Sequence, residues 1–260
     1  VVAGAGAGAG AEMRQAEEQI SGLRTIVVQA AEAPRVAVIV LHGYAMRPED
    51  LAPFAGSMGA PGVFYLPEAP LDAEVEGRAW WPIDQERRAA AMVIGPRDLA
   101  EEHPAGAGAA RALLRRIIEE VHRRHTGCPL VLVGFSQGGM LACDTILRDR
   151  PRVAGLALLS ASRISADDWA PLTGALAGLP ILVSHGTHDP DLGFHAGERL
   201  RDMCVAAEAV ESTVGIQKGF LHQVLRRFGF PAQPVRVAIH QIDVILVERV
   251  EPVSHIRRYG

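Results

Sequence analysis

At the middle of this 260-residue chain stands the sequence Leu130-Val131-Leu132-Val133-Gly134-Phe135-Ser136-Gln137-Gly138-Gly139. Its first five residues form an apolar run rich in valine and leucine, which is typical of a strand buried on both faces. The run leads directly into a G-x-S-x-G pattern centred on Ser136, and Met140 to Cys143 then indicate the start of a helix. The pattern therefore predicts a strand, a tight turn and a helix in succession.

The two glycines of this pattern explain how a serine can occupy the turn. Such a turn needs a strained backbone, and Gly134 and Gly138 let the strand and the helix approach each other without Cβ clashes. The hydroxyl of Ser136 is then expected above the sheet edge, beside the positive end of the helix. A glycine-rich turn without chemistry, or part of a nucleotide site, is the alternative. The strand-to-helix context favours a nucleophile.

Composition and charge narrow the class of protein. The formal net charge is −4, and no Lys/Arg-rich block with interleaved aromatic residues occurs, which argues against a nucleic-acid partner. The three cysteines, Cys128, Cys143 and Cys204, show no C-x-x-C spacing. Neither a disulfide framework nor a zinc site is therefore predicted, and a reducing cytoplasm is favoured.

The first residues are expected to lie outside the folded domain. Residues 1–11 are largely an alternation of Gly and Ala without a basic region or a bulky apolar region, so they resemble neither a signal peptide nor a transmembrane helix. We expect a disordered leader there and a short charged helix over residues 12–19. Residues 1–21 would thus precede the domain, and no stable membrane insertion is predicted.

Beyond residue 21, predicted strands alternate with predicted helices, which indicates βαβ units and a mostly parallel central sheet with helices on both faces. The strands are expected at residues 25–29, 35–41, 63–66, 155–160 and 181–184, and the stretch from Leu71 to Pro104 is expected to be irregular. Reactive groups of such α/β sheets lie at the carboxyl ends of the strands. Ser136, Asp189 and the segment His42-Gly43-Tyr44 all fall at such ends, which favours one shared site.

A nucleophilic serine needs a histidine to accept its proton and a carboxylate to orient that histidine. In proteins with a G-x-S-x-G turn, the three residues occur along the chain in the order Ser, Asp, His. Asp189 fits this order, because it follows a predicted strand beyond Ser136. The competing acids are Asp191, Asp167 and Asp168, of which the last two are explained by capping of a helix or by solvation. Asp189 is preferred because Pro190 places it in a tight turn.

The base is predicted to be His222, which follows the next helix and strand and so completes the chain order. His240 is the rival, because it lies in a segment whose alternation suggests a strand. His188 is adjacent to Asp189 and would be badly placed to bridge it to the serine.

Acyl transfer also requires donors for the developing oxyanion. The residue after the nucleophile supplies one backbone N–H, here that of Gln137, and the loop after an early strand supplies the second, here that of Tyr44. His42 precedes the serine in the chain, so a structural role is expected for it.

These motifs together resemble the carboxylesterase/phospholipase family of α/β-hydrolases, which includes acyl-protein thioesterases. The similarity covers residues 22–222 and rests on Leu41-His42-Gly43-Tyr44, Gly134-Phe135-Ser136-Gln137-Gly138-Gly139 and His185-Gly186-Thr187-His188-Asp189-Pro190. It implies a single-domain α/β-hydrolase fold over residues 22–230, an acyl-serine intermediate, no metal or organic cofactor, and no large lid domain. Pro67-Glu68-Ala69-Pro70 and Arg78-Ala79-Trp80-Trp81 sit where the family carries segments beside its acyl pocket. Trp80 and Trp81 are therefore either pocket-lining residues or core residues.

The end of the chain departs from the family pattern. Gly219-Phe220-Leu221-His222 is a poor copy of the Gly-rich turn that precedes the family's catalytic histidine. Residues 231–260 form an extension, and its apolar run from Val235 to Val250 could pair at a sheet edge, cover the site or mediate a homodimer.

The sequence thus predicts a cytoplasmic serine hydrolase that acts on a small-molecule acyl ester or thioester. A catalytically impaired binding protein with the same fold is the first alternative. A lipase or a peptidase is the second, which the absence of a lid segment in the pattern disfavours.

Overall fold

The computed structural model describes residues 13–57 and 62–207. Its strands are β1 Met13–Ile20, β2 Leu23–Ala30, β3 Val36–Leu41, β4 Gly62–Pro67, β5 Leu71–Asp72, β6 Arg78–Ala79, β7 Leu130–Phe135, β8 Gly155–Leu159 and β9 Ile181–Ser184. Its helices are α1 Pro48–Ser57, α2 Gln85–Ile94, α3 Ala107–Arg124, α4 Gln137–Asp149, α5 Ala166–Trp169 and α6 Phe194–Ala206, and a 3₁₀ helix spans Ala170–Leu176.

Seven of the strands form one sheet in the order β1-β2-β4-β3-β7-β8-β9. Strands β4, β3, β7, β8 and β9 run parallel to one another, whereas β1 pairs antiparallel with β2, and β2 pairs antiparallel with β4. The mostly parallel sheet predicted from the strand and helix alternation is confirmed. The order also places β7, which carries the G-x-S-x-G turn, at the interior of the sheet between β3 and β8.

Two hydrophobic cores lie on the two faces of the sheet, which confirms the prediction of helices on both sides. On one face, Ala52 and Ala55 of α1 pack against strand residues such as Val38 and Val131. On the other face, apolar side chains of α3, α4 and α6 pack against alternate residues of the same strands. Each central strand therefore buries both of its faces, which explains its continuous apolar sequence.

The prediction of a helix over the charged residues 12–19 is wrong for the residues described, because Met13–Ile20 is strand β1. It pairs residue for residue with β2 through the two-residue turn Ser21-Gly22, both members of which have positive φ, 52° and 85°. Two positive φ values match the twist of a hairpin. Most of β1 is exposed, so its polar composition gave no apolar alternation to indicate a strand.

The stretch predicted to be irregular between Leu71 and Pro104 contains the β5–β6 hairpin and helix α2. The side chain of Asp84 caps α2 by accepting the backbone N–H of Arg87, and no residue of α2 is buried. A helix without a buried face lacks the apolar stripe by which periodicity is detected. Helix α4 begins at Gln137, directly after the serine and three residues earlier than predicted.

Candidate active site

Ser136 occupies the sharp turn between β7 and α4. Its backbone has φ 51° and ψ −116°, in the left-handed region that costs a non-glycine residue about 1–3 kcal/mol. Three hydrogen bonds hold it there: its N–H donates to Leu159 O at 2.8 Å, and its carbonyl accepts from Gly139 and Met140 at 2.9 and 3.0 Å. The turn is thus strained and firmly held, and the serine it carries is half-buried.

Gly134 and Gly138 permit the close approach that the pattern predicted. A Cβ on Gly134 would lie 2.4 Å from Gly138 O, and a Cβ on Gly138 would lie 2.4 Å from Leu41 O. Both neighbours are backbone atoms that cannot rotate away. The glycines therefore let α4 start against β7 and against the end of β3.

The segment after β3 lies beside the serine. A Cβ on Gly43 would be 3.3 Å from the Ser136 Cβ, so this loop passes directly against the nucleophile turn. Strand β6 braces the loop, because Ala45 N–H donates to Arg78 O at 2.9 Å and Arg78 N–H donates to Met46 O at 3.0 Å. The backbone of Tyr44, predicted to donate to an oxyanion, is thereby held next to Ser136.

His42 is buried and fastens this loop from within. Its Nε2 accepts the Ala69 N–H at 3.0 Å, so Nδ1 carries the hydrogen and donates to Gly43 O at 2.8 Å. Burial lowers the pKa of His42 below its ordinary value, which keeps the ring neutral at neutral pH. Both ring nitrogens are engaged by backbone groups, one in this loop and one in the segment after β4, which agrees with the structural role expected for this residue.

Gln137 and the two tryptophans form one hydrogen-bonded unit. The Gln137 side chain accepts the Trp80 N–H and donates to Trp81 O, both at 2.9 Å. Trp81 faces the cavity described below, whereas Trp80 is buried and is absent from the described residues that line it. Of the two predicted pocket residues, the structure thus brings only Trp81 to the cavity.

Asp189 lies in the turn after β9. Its Oδ1 accepts the backbone N–H groups of Asp191 and Leu192, both at 3.0 Å, which fixes the carboxylate. Its Oδ2 lies 3.8 Å from Nε2 of buried His185, and that nitrogen is 2.9 Å from Leu192 O. Oδ2 is therefore held in position while keeping capacity to accept a hydrogen bond.

The competing acids are engaged elsewhere. The Asp191 carboxylate accepts four hydrogen bonds. Two come from Nε and Nη2 of Arg88, at 3.1 and 2.6 Å, and two come from Nε and Nη2 of Arg97, at 2.9 and 2.5 Å. Asp168 pairs with Arg148 on the surface, and Asp167 is exposed in the first turn of α5. The Asp191 carboxylate thus neutralises two arginines.

A cavity of about 860 Å³ joins these groups. Ser136, Gln137, Tyr44 and Asp189 all line it, so the structure brings these strand ends together around one cavity. Its apolar wall includes Trp81, Ile83, Phe135, Met140 and Ile164, and α2 contributes Arg88, Ala91 and Ile94. The volume and the apolar lining suit an organic molecule of modest size.

Helix α2 and the ion pairs that join Asp191 to Arg88 and Arg97 were not predicted from the sequence. The cap of α2 by Asp84 is a local signal that could have revealed the helix. The ion pairs join residues 103 and 94 positions apart, and no local pattern indicates such pairs.

His222 and His240 lie outside the described residues, so the choice between them stays a prediction. Among residues 13–57 and 62–207, no group of three or more His, Cys, Asp or Glu side chains is arranged as metal ligands. In the same ranges, no helix has both the length and the apolar character required to cross a membrane.

A family model and a curated relative both match parts of this chain. A family model described as Phospholipase/Carboxylesterase matches residues 24–228, a range that includes Ser136, Asp189 and His222. Acyl-protein thioesterase 1 of Cryptococcus neoformans var. neoformans serotype D is 31% identical over 84 residues, which cover 29% of this chain. The match spans only 32% of that relative's length.

Solved structures share the fold at low sequence identity. TT1662 from Thermus thermophilus superposes with a TM-score of 0.59 at 21% identity, covering 76% of this chain and 84% of that one. Acyl-protein thioesterase 2 of Zea mays has a TM-score of 0.58 at 18% identity, over 71% of this chain and 84% of its own. Esterase PE8 has a TM-score of 0.57 at 21% identity, and the match covers 84% of this chain and 98% of that one. The α/β-hydrolase fold predicted from the sequence is confirmed.

Proposed function

The chain belongs to the phospholipase/carboxylesterase family, and on this premise we propose that it cleaves carboxylic esters or thioesters through an acyl-serine intermediate. The observation that carries the proposal is the common cavity of Ser136, Asp189 and the Tyr44 loop. Family membership supports a hydrolase in general. The acyl-serine route and the residues that perform it are the finer part of the proposal.

In the proposed reaction, the Ser136 Oγ attacks the acyl carbon and its proton passes to His222. A C–O bond forms while the carbonyl π pair moves to oxygen, and the N–H groups of Tyr44 and Gln137 bind this oxyanion. The oxyanion collapses, and the alcohol or thiol leaves with the proton from His222. Water then attacks the acyl-serine in the same way and releases the acid and the free serine.

Asp189 orients the histidine in this scheme and stabilises its charged form. The held but available Oδ2 of Asp189 supports this role, because a triad carboxylate must accept the imidazole N–H in a fixed direction. The apolar wall of the cavity supports an acyl substrate, and the thioesterase relatives favour thioesters among the candidates. Cys128, Cys143 and Cys204 are thiols that form no disulfide with one another, which favours a reducing compartment such as the cytoplasm.

The identity of the base is tested by His222→Ala and His240→Ala, assayed with p-nitrophenyl esters of increasing acyl length. We expect His222→Ala to lower kcat by at least about 10³-fold, because the serine loses its proton acceptor. His240→Ala should stay within a few-fold of the wild type. Loss of activity in His240→Ala alone would assign the base to the C-terminal extension.

The identity of the acid is tested by Asp189→Asn against Asp191→Asn. In Asp189→Asn the new amide can still accept the two backbone N–H groups, but its NH₂ would face the imidazole N–H, so we expect kcat to fall by about 10³- to 10⁴-fold. Asp191→Asn leaves two half-buried guanidinium groups without a counter-charge, which should cost about 1–3 kcal/mol of unfolding free energy. Its kcat should change less than tenfold. The reverse ranking of the two kcat values would assign the acid to Asp191.

A binding protein with a hydrolase cavity is the second candidate, favoured by the atypical Gly219-Phe220-Leu221-His222 turn. A fluorophosphonate probe separates the two, since it labels a serine only when a working base activates it. Labelling of the wild type at Ser136 supports the enzyme. A folded protein that neither reacts with the probe nor hydrolyses any ester supports the binding protein.

A further inference from the structure

Trp80 is fully buried beside the site without lining the cavity, yet both of its polar hydrogens are used. Its backbone N–H donates to Gln137 Oε1 at 2.9 Å, and its indole Nε1–H donates to His42 O at 2.9 Å. Its ring also stacks obliquely on His42, with the ring centroids 5.4 Å apart. A buried tryptophan needs a partner for its indole N–H, which His42 O supplies here. Because the backbone N–H bonds Gln137, Trp80 also connects two separate parts of the site.

The two partners of Trp80 each lead to one proposed oxyanion donor. Gln137 carries the first donor on its own backbone, and its side chain is clamped by Trp80 N–H and Trp81 O. His42 lies two residues before Tyr44, and its ring holds the Gly43 carbonyl at 2.8 Å. A continuous chain of hydrogen bonds therefore runs from the start of α4, through Trp80, to the loop after β3.

We propose that Trp80 is a positioning residue that sets the separation between the N–H groups of Tyr44 and Gln137. The inference rests on the proposed function, because only an acyl-transfer site needs both donors aimed at one oxygen. Such donors must lie about 2.7–3.1 Å from the developing oxyanion, so a small change in their spacing weakens one of the two bonds. The effect falls on the transition state and leaves substrate binding largely unchanged.

The side chain of tryptophan suits this position for two reasons. Its ring fills the buried space between the two segments, and its single N–H, on the edge of the five-membered ring, reaches the His42 carbonyl. Phenylalanine preserves most of the volume but has no donor. The His42 carbonyl would then lose the indole bond inside the protein, and the loop would be free to shift.

The test compares Trp80→Phe with Trp169→Phe. Trp169 is a matched control, because it is also fully buried and donates its indole N–H, to Asp144 Oδ1 at 2.8 Å, but it lies outside the described lining of the cavity. With p-nitrophenyl butyrate, Trp80→Phe should lower kcat by about 10- to 100-fold with KM within about twofold, on the scale of a weakened oxyanion donor. Trp169→Phe should keep both constants within about twofold while lowering the melting temperature to a similar extent.

A second readout separates positioning from general loosening. A trifluoromethyl ketone forms a tetrahedral adduct: the serine Oγ bonds to the ketone carbon, the π pair becomes an oxyanion, and the serine proton moves to the base. Its Ki should rise in Trp80→Phe by the same factor as kcat falls. The Ki of the corresponding alkyl alcohol, which has neither a carbonyl group nor a negative charge, should not change. An equal rise in both Ki values, or a kcat equal to that of Trp169→Phe, would overturn the inference.

Gln137→Met tests the same connection from its other end and serves if Trp80→Phe fails to fold. It removes both bonds to the tryptophan segment while its backbone N–H remains, so kcat and the trifluoromethyl ketone Ki should change together. Unchanged values in a folded Gln137→Met variant would overturn the inference too. A wild type without esterase activity would sink the proposed function itself, whereas an active wild type with an unaffected Trp80→Phe would sink only the role of Trp80.

Discussion

Ser136→Ala should lower ester hydrolysis by at least about 10⁴-fold while the melting temperature stays within about 2 °C of the wild type. The variant removes only the hydroxyl oxygen that is proposed to attack the substrate. Alanine at φ 51° carries the same backbone strain as serine, and the hydrogen bonds of residue 136 to Leu159, Gly139 and Met140 involve backbone atoms alone. The fold should therefore be untouched. Rates with p-nitrophenyl butyrate and thermal unfolding curves measure the two quantities.

Ser162→Ala is the matched control. Ser162 is buried just beyond β8 and donates to Asp98 at 3.2 Å, but it does not belong to the described lining of the cavity. This variant should keep its rate within a few-fold of the wild type, although it loses the hydrogen bonds of the Ser162 hydroxyl to Asp98, Leu99 and Arg163. A Ser136→Ala protein that hydrolyses the ester at more than a tenth of the wild-type rate would remove Ser136 from the mechanism.

Gly138→Ala should destabilise the protein by about 3 kcal/mol or more and abolish turnover. The new Cβ would lie 2.4 Å from Leu41 O and 2.6 Å from His42 O. These atoms end β3 and open the loop of Tyr44, so either the loop or the start of α4 must move. Any such movement separates the two proposed oxyanion donors. Urea unfolding measures the stability, and ester hydrolysis by the remaining folded protein measures the turnover.

Gly108→Ala is the control for this change. Gly108 is the second residue of α3, as Gly138 is the second residue of α4, but beyond its own helix no described atom lies within 4 Å of the place that the new methyl group would take. Alanine is the better helix former, so this variant should gain up to about 1 kcal/mol and keep full activity. Equal stability changes in the two variants would show that helix propensity, and not the contact with β3, governs position 138.

The parts of the molecule that follow from local pattern were predicted well. The apolar run of β7 and the spacing of Gly134 and Gly138 around Ser136 indicated a strand, a strained turn and a helix, and all three are present. Strand β9 was predicted with its observed bounds, Ile181–Ser184. In these segments the signal and the structure share the same few residues, because burial on both faces and a tight turn constrain the residue types directly.

The errors fall where distant residues set the outcome. Met13–Ile20 is charged and exposed, and it is a strand because β2 offers an open edge beyond a two-residue turn. Helix α2 buries no side chain, so its place above the cavity depends on contacts such as the Arg88–Asp191 pair. Neither segment carries the apolar periodicity from which secondary structure is predicted.

The choice among the acids shows the same division within the site. The order of residues along the chain placed Asp189 and Asp191 in one turn, and only the neighbouring Pro190 favoured Asp189. Their surroundings differ because Arg88 and Arg97, about a hundred positions away, donate to Asp191, whereas Asp189 accepts two backbone N–H groups. Trp80 and Trp81 are likewise adjacent, and packing alone puts one on the cavity and the other between Gln137 and His42. Hydrophobic period and glycine spacing act over a few residues and can be recognised in the chain, whereas ion pairs and buried hydrogen bonds require groups that meet only in the folded protein.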